Sequence, residues 1–176
     1  ITVGGLKKRK GQHLVIEALG LIKDDISPFN YYIVGDQGDQ EYMNFLKDLV
    51  SKNGLVDQVK FVGMIDDLML KKLYSKSQVF VLTPISEKFN FEGFGLVYLE
   101  ANAYGLPTIG SRNNGGEEAV SDEYSGFLVN EGDVLDLSHK IELLMNDHVT
   151  HKKMSDRAML WSDNFLWEDI VRRYIS

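Results

Sequence analysis

The strongest constraint on the fold is a regular alternation along the chain. Short β-branched or apolar runs, each closed by a glycine or polar turn, are followed by segments of helical period. Thr2-Val3, Tyr31-Tyr32-Ile33-Val34, Val59-Lys60-Phe61-Val62, Val79-Phe80-Val81-Leu82, Thr108-Ile109 and Phe127-Leu128-Val129 read as strands. Between them Gln12 to Ile22, Gln40 to Asn53, Leu68 to Ser75, Phe94 to Tyr104 and Val134 to Met145 carry apolar residues at three- and four-residue spacing and read as helices. Such an order needs parallel strands joined by right-handed crossovers, so the expected class is α/β, a doubly wound parallel β-sheet sandwich of Rossmann-like form. Ligands of such sheets sit outside the carboxyl ends of the strands. Beyond about residue 146 the strands stop. The tail from Asp147 to Ser176 reads as two further helical segments, carrying Trp161, Phe165, Trp167 and Tyr174, and is expected to pack on the outside of the sandwich.

With 176 residues, 44% of them hydrophobic, the chain fits one domain better than two. Nineteen basic residues against 26 acidic ones give a net charge of −7, which disfavours nucleic acid as a partner unless a local basic patch intervenes. The absence of cysteine excludes disulfide frameworks and thiol catalysis. No apolar run is long enough for a bilayer, and the opening Ile1-Thr2-Val3-Gly4-Gly5 lacks the regions of a signal peptide. That opening reads as a buried strand already under way, so the chain is expected to be a piece of a longer protein, cut near a domain boundary. His13, His139, His148 and His151 are scattered without a zinc-protease arrangement, and no metal is expected. Neither a Gly-x-Ser-x-Gly elbow nor a P-loop is present.

Four strand-to-helix loops stand out. Gly4-Gly5-Leu6-Lys7-Lys8-Arg9-Lys10-Gly11 concentrates four cations between glycines in an acidic protein, a composition suited to phosphate oxygens and equally to a solvated basic turn. Gly35-Asp36-Gln37-Gly38-Asp39 is a glycine turn at the ligand edge without a dinucleotide fingerprint. In Glu92-Gly93-Phe94-Gly95-Leu96-Val97-Tyr98-Leu99-Glu100, two carboxylates eight positions apart straddle a glycine-phased helix start whose amides and dipole would stabilise a pyrophosphate. Glu100, about two turns in, leans back toward that start and suits the paired hydroxyls of a ribose. Glu92 would face hydroxyls on the other side. The bland alternative makes Glu92 a helix-start acid and Glu100 a surface residue. The apolar neighbours Leu96, Val97, Leu99, Ala101 and Ala103 speak against exposure of Glu100, because an unpartnered carboxylate among them would be costly. Asn113-Asn114-Gly115-Gly116-Glu117-Glu118 offers either further backbone donors or a plain turn.

Together these residues resemble the C-terminal, nucleotide-sugar-binding domain of retaining glycosyltransferases of family 4, glycosyl transferases group 1, which have the GT-B fold. The likeness runs from Val3-Gly4 through Lys10-Gly11, Ile33-Val34-Gly35, Val59 to Gly63, and Glu92 to Ala101, then to Gly105-Leu106-Pro107, Gly115-Gly116 and Gly126 to Val129. Its most specific part is the Glu-x7-Glu motif with its Glu-Gly-Phe-Gly lead-in, and that run is most similar to the lipid and cell-envelope mannosyltransferase branch.

The resemblance implies that Glu92 contacts the donor sugar and that Glu100 binds the ribose. It implies that the amides from Gly93 through Phe94 and Gly95 to Leu96 hold sugar and diphosphate, and that Lys10 neutralises the diphosphate leaving group. Gly4, Gly5, Arg9 and Gly35 would line the same pocket, and Gly63 would face the base. The family's arginine after Val-Gly is replaced here by Gly5, and Arg9 or Lys8 are its same-loop substitutes. The implied reaction is metal-independent sugar transfer, with retention, from a nucleoside diphosphate sugar (UDP- or GDP-sugar) to an acceptor hydroxyl. The implied small-molecule partner is the nucleotide sugar, and no cofactor or metal is expected. Residues 1–160 would form the donor domain and 161–176 a terminal helix leaning on an absent N-terminal acceptor domain, without which the chain transfers little sugar. The implied setting is cytoplasmic, with peripheral contact on the inner membrane face through the missing half. The competing readings are a GT-B-like nucleotide-sugar epimerase and a non-catalytic nucleotide-binding module.

Overall fold

A computed structural model describes residues 1–26, 28–86 and 95–165. In chain order its elements are β1 (Thr2–Val3), α1 (Gln12–Ile22), β2 (Tyr31–Val34), α2 (Gln40–Lys52), β3 (Val59–Gly63), α3 (Asp67–Lys76) and β4 (Phe80–Val81). They are followed by α4 (Leu96–Ala103), β5 (Thr108–Ser111), β6 (Gly126–Val129), α5 (Val134–Asn146) and α6 (His148–Asp163). The six expected strands and the five helices expected before residue 146 are present, with boundaries that move by a residue or two, and of the two helical segments expected in the tail one, α6, falls within the described residues. Phe94, expected as the first residue of a helix, lies outside the described residues, and α4 begins at Leu96 behind a Gly95 cap.

All strand pairs are parallel, in two ladders ordered β1-β2-β3 and β4-β5-β6. Ile1 joins them. Its nitrogen donates to the Val79 carbonyl at 2.9 Å, its carbonyl accepts from the Val81 amide at 2.9 Å, and the Thr2 hydroxyl donates to the Val81 carbonyl. The spatial order is therefore β3-β2-β1-β4-β5-β6, and the winding reverses between β1 and β4. In an open α/β sheet that reversal opens a crevice at the carboxyl ends of the two strands.

Both faces of the sheet are covered, which is why the strands are apolar throughout rather than alternating. Ile33, Val81, Ile109, Phe127 and Val129 point into one core with α1, α2 and α5. Their strand neighbours Val34, Phe80, Leu82 and Leu128 point into the other, with Tyr74 of α3 and Tyr98 of α4. The tail helix α6 packs against α4 and α5, with Met154 in the first core and Trp161 against the second. Trp161 donates from Nε1 to the Ala119 carbonyl at 2.9 Å and meets Phe165 edge to face, so it anchors the tail. Residues 166–176, and with them Trp167 and Tyr174, lie outside the described residues.

Candidate functional site

Among the described residues, the starts of the α-helices divide into two kinds. Four helices carry an aspartate cap: Asp39, Asp66, Asp133 and Asp147 each accept a first-turn amide of α2, α3, α5 and α6. The other two, α1 and α4, begin behind left-handed glycines, Gly11 (φ 74°) and Gly95 (φ 71°), which supply no capping side chain, although at α1 the His13 amide donates to the Tyr42 hydroxyl at 3.3 Å. These are the two helices that follow β1 and β4, the strands of the switch point. A capping carboxylate satisfies a helix start and repels phosphate, whereas a glycine start offers its amides and positive dipole end to an outside anion.

The loops at this edge are locked together by backbone. Gly4 donates to Val34 (2.8 Å), Leu6 to Asp36 (2.7 Å), and Gly35 to Gly63 (3.0 Å), so the exits of β1, β2 and β3 form one surface. The Gly35 turn runs so close to the first loop that a Cβ there would overlap the Gly4 carbonyl. On the other side Arg9 accepts from the Ile85 amide (2.8 Å), and a Cβ on Gly11 would overlap the Thr83 carbonyl, which seats the cationic loop on the exit of β4. Gln12 is fully buried and donates from Nε2 to the Gly5 carbonyl at 3.1 Å. The Tyr42 hydroxyl supports it by donating to Gln12 Oε1 (3.4 Å), and His13 Nδ1 lies 2.9 Å from the same hydroxyl. Burial, and then the charge of Lys8, hold the His13 imidazole below its usual pKa.

Lys10 closes a short 3-10 turn from Lys8 and folds back, its Cδ and Cε standing over Gly4. Arg9 is half-buried in that turn and Lys8 is exposed. The start of α4 is fixed by Tyr98, fully buried, whose hydroxyl donates to the Leu82 carbonyl at 2.6 Å while its ring fills the space beside Gly95 and Gly116. The structure therefore brings together Gly4, Gly5, Arg9, Lys10, Gly35 and Gly63 through the first three strand exits, and sets Gly95 and Leu96 at the exit of β4. Glu92, Gly93 and Phe94 lie outside the described residues.

Glu100 corrects one expectation. Despite its apolar neighbours in sequence it is exposed, because the buried face of α4 is Tyr98, Leu99, Ala101 and Asn102, while Leu96, Glu100 and Ala103 share the outer face. Its partner is the Tyr74 hydroxyl, which donates to Oε2 at 3.3 Å, a contact from α3 that no sequence spacing announces. The fourth loop is largely satisfied by itself. Asn114 Oδ1 accepts from the Gly116 amide (2.9 Å), the Asn114 carbonyl from Glu117 (3.0 Å), and Glu117 Oε2 from Asn113 (2.8 Å), which favours the plain-turn reading. Glu131, unremarked in the sequence, accepts from both the amide (3.1 Å) and the hydroxyl (2.6 Å) of Ser86, tying the β4 exit to the loop after β6. A cavity of about 240 Å³ lies at the opposite, amino-terminal end of the strands, lined by Val15, Leu19, Tyr31, Val79 and Ile141, away from these loops.

A parallel doubly wound sheet with two glycine-started helices and a cationic glycine loop at its switch point defines a Rossmann-like α/β domain. Residues 1–161 match the glycosyl transferases group 1 family, and the chain belongs to it, with the GT-B type of α/β domain. Among curated relatives it is 31% identical to N-acetyl-alpha-D-glucosaminyl L-malate synthase of Bacillus anthracis, over 99% of this chain and 43% of that protein. It is 28% identical to the amylovoran biosynthesis glycosyltransferase AmsK of Erwinia amylovora, over 89% of this chain and 43% of that protein. Anabaena Alr3699/HepE, solved in complex with UDP and glucose, superposes with a TM-score of 0.84 at 26% identity, over 99% of this chain and 46% of that one. The chain thus spans less than half the length of these relatives.

Proposed function

We propose that this chain is the donor-binding domain of a retaining, metal-independent glycosyltransferase that moves a sugar from a nucleoside diphosphate sugar, UDP- or GDP-linked, to an acceptor hydroxyl. The observation that carries this reading is the pairing of the two glycine-started helices, α1 and α4, at the switch point with the Lys8–Lys10 turn between them. Amides and cations meet there without a capping carboxylate, which is what a diphosphate requires. The UDP bound by Alr3699/HepE supports the same ligand class.

In this reading Lys10 acts on the transition state. As the bond from sugar to phosphate breaks, its electron pair moves onto the diphosphate, and the ammonium of Lys10, whose stem folds back over Gly4, stabilises the growing charge. Gly4, Gly5, Arg9, Gly35, Gly95 and Leu96 line the phosphate and sugar path, Gly63 faces the base, and Glu100 accepts from the ribose hydroxyls. Glu92, with Gly93 and Phe94, completes the sugar site. Departure and attack share one face, so Glu92 and Glu100 are not a glycosidase acid and nucleophile pair. The acceptor side belongs to the remainder of a full-length enzyme, and the 176-residue chain is expected to bind nucleotide while transferring little or no sugar.

Calorimetric titration with UDP, GDP and ADP, each with and without magnesium, tests the proposal. Saturable binding of at least one, independent of magnesium, is the expected result. No saturable binding at millimolar nucleotide would overturn the donor-domain reading, and strict magnesium dependence would overturn the metal-free one.

A further inference from the structure

Tyr74 is the residue that gives Glu100 a fixed orientation. An exposed glutamate ordinarily samples several rotamers, and holding it for a ligand costs side-chain entropy. Here one carboxylate oxygen, Oε2, is met at 3.3 Å by the Tyr74 hydroxyl. That hydroxyl cannot wander, because the Tyr74 residue is only 2% exposed and its ring is packed on two sides. Tyr104 stacks on it with centroids 5.4 Å apart and planes at 21°, and the fully buried Phe80 of β4 tilts against it at 6.4 Å. The phenol is therefore a rigid donor, held by the second core, beside an exposed acceptor.

The proton stays where this role needs it. Burial and then the negative charge of Glu100 push the Tyr74 phenol well above its usual range, so the hydroxyl keeps its proton and can donate to the carboxylate at neutral pH. A carboxylate accepts through about four lone-pair positions, and the phenol occupies one of them. The others remain for two hydroxyls of a ligand, and their directions are set once Oε2 is fixed.

We infer that Tyr74 is a positioning residue of the nucleotide site: it pre-orients Glu100 so that the carboxylate recognises the vicinal hydroxyls of a ribose. The inference rests on the assignment of Glu100 to ribose made above. It adds that ribose selectivity depends on a side chain of α3, an element that carries no residue of the recognised motif.

The test compares a nucleoside diphosphate with its 2′,3′-dideoxy counterpart, using UDP or GDP, whichever saturates, on the wild-type chain, Tyr74→Phe, Glu100→Gln and the double variant. Tyr74→Phe keeps the ring packing against Tyr104 and Phe80 and removes only the hydroxyl, and thermal melts verify that each variant folds. The wild type is expected to prefer the ribonucleotide, and Tyr74→Phe to reduce that preference about 3- to 10-fold, with affinity for the dideoxy ligand unchanged. In the Glu100→Gln background the Tyr74 substitution should have no further effect on the preference. A preference that is lost in Glu100→Gln but intact in Tyr74→Phe overturns the role of Tyr74 alone. Equal binding of the two ligands by the wild type overturns the ribose assignment of Glu100, and the inference falls with it. A uniform loss of affinity for both ligands in Tyr74→Phe would show a packing role and also count against it.

Discussion

At Gly5 and Gly35 two glycines of one surface obey different constraints. Gly35 has φ of 140°, and a Cβ there would collide with the Gly4 backbone, so the exits of β1 and β2 depend on the missing side chain. Gly5 has no positive φ, and a Cβ would sit 3.8 Å from the Cβ and the carbonyl oxygen of Asp36, an ordinary contact. Space for a Cβ thus exists at the position where the family resemblance places an arginine. Gly35→Ala is expected to lose about 2 kcal/mol or more of stability in urea denaturation, through strain and displacement of the first loop. Gly5→Arg should change stability by less than about 0.5 kcal/mol. It should also tighten nucleoside diphosphate binding by about 1 kcal/mol, the scale of one added charge-assisted hydrogen bond. An unchanged affinity in Gly5→Arg would mean that Arg9 and Lys10 already saturate the phosphates.

Among the helices, the division between aspartate caps and glycine starts separates stability from binding. Asp66 accepts from the Met69 amide at 2.8 Å on α3, so Asp66→Ala should cost about 1 kcal/mol of stability, measured by urea denaturation. Tyr98→Phe removes the 2.6 Å bond to the buried Leu82 carbonyl, the bond that sets where α4 begins. It should cost about 1 to 3 kcal/mol and weaken nucleotide binding as well, measured by denaturation and titration on the same samples. The elements themselves were legible from the chain because each strand is a short apolar run and each helix keeps its period. The Rossmann-like class followed from their order. The position of the switch point did not, since it rests on the backbone bonds of Ile1 to Val79 and Val81, which connect residues almost eighty positions apart. Glycines and cations of the site were equally legible, as local composition. The exposure of Glu100 is not legible from its flanking residues, because a helix groups it with Leu96 and Ala103 rather than with its neighbours in sequence. Tyr74, Gln12 and Glu131 act through tertiary contacts from other elements, for which a single sequence carries no spacing signal.

For the molecule as a whole, the contact between α1 and α2 makes stability sensitive to pH. His13 of α1 is half-buried, with Nδ1 2.9 Å from the Tyr42 hydroxyl of α2, and burial and then the charge of Lys8 hold its imidazole below the usual value of 6.5. The unfolded chain therefore binds this proton more readily than the folded one, so stability increases with pH across the interval between the folded and unfolded pKa values. The contribution of His13 is complete above the unfolded value and is lost as pH falls through the folded one. Urea denaturation between about pH 5 and 8 is expected to show midpoints that rise with pH in the lower part of that range. His13→Gln cannot titrate there, so the variant should show a flatter dependence. Identical pH dependence in the wild type and in His13→Gln would mean that the imidazole is solvated and that α1 and α2 are not joined through it.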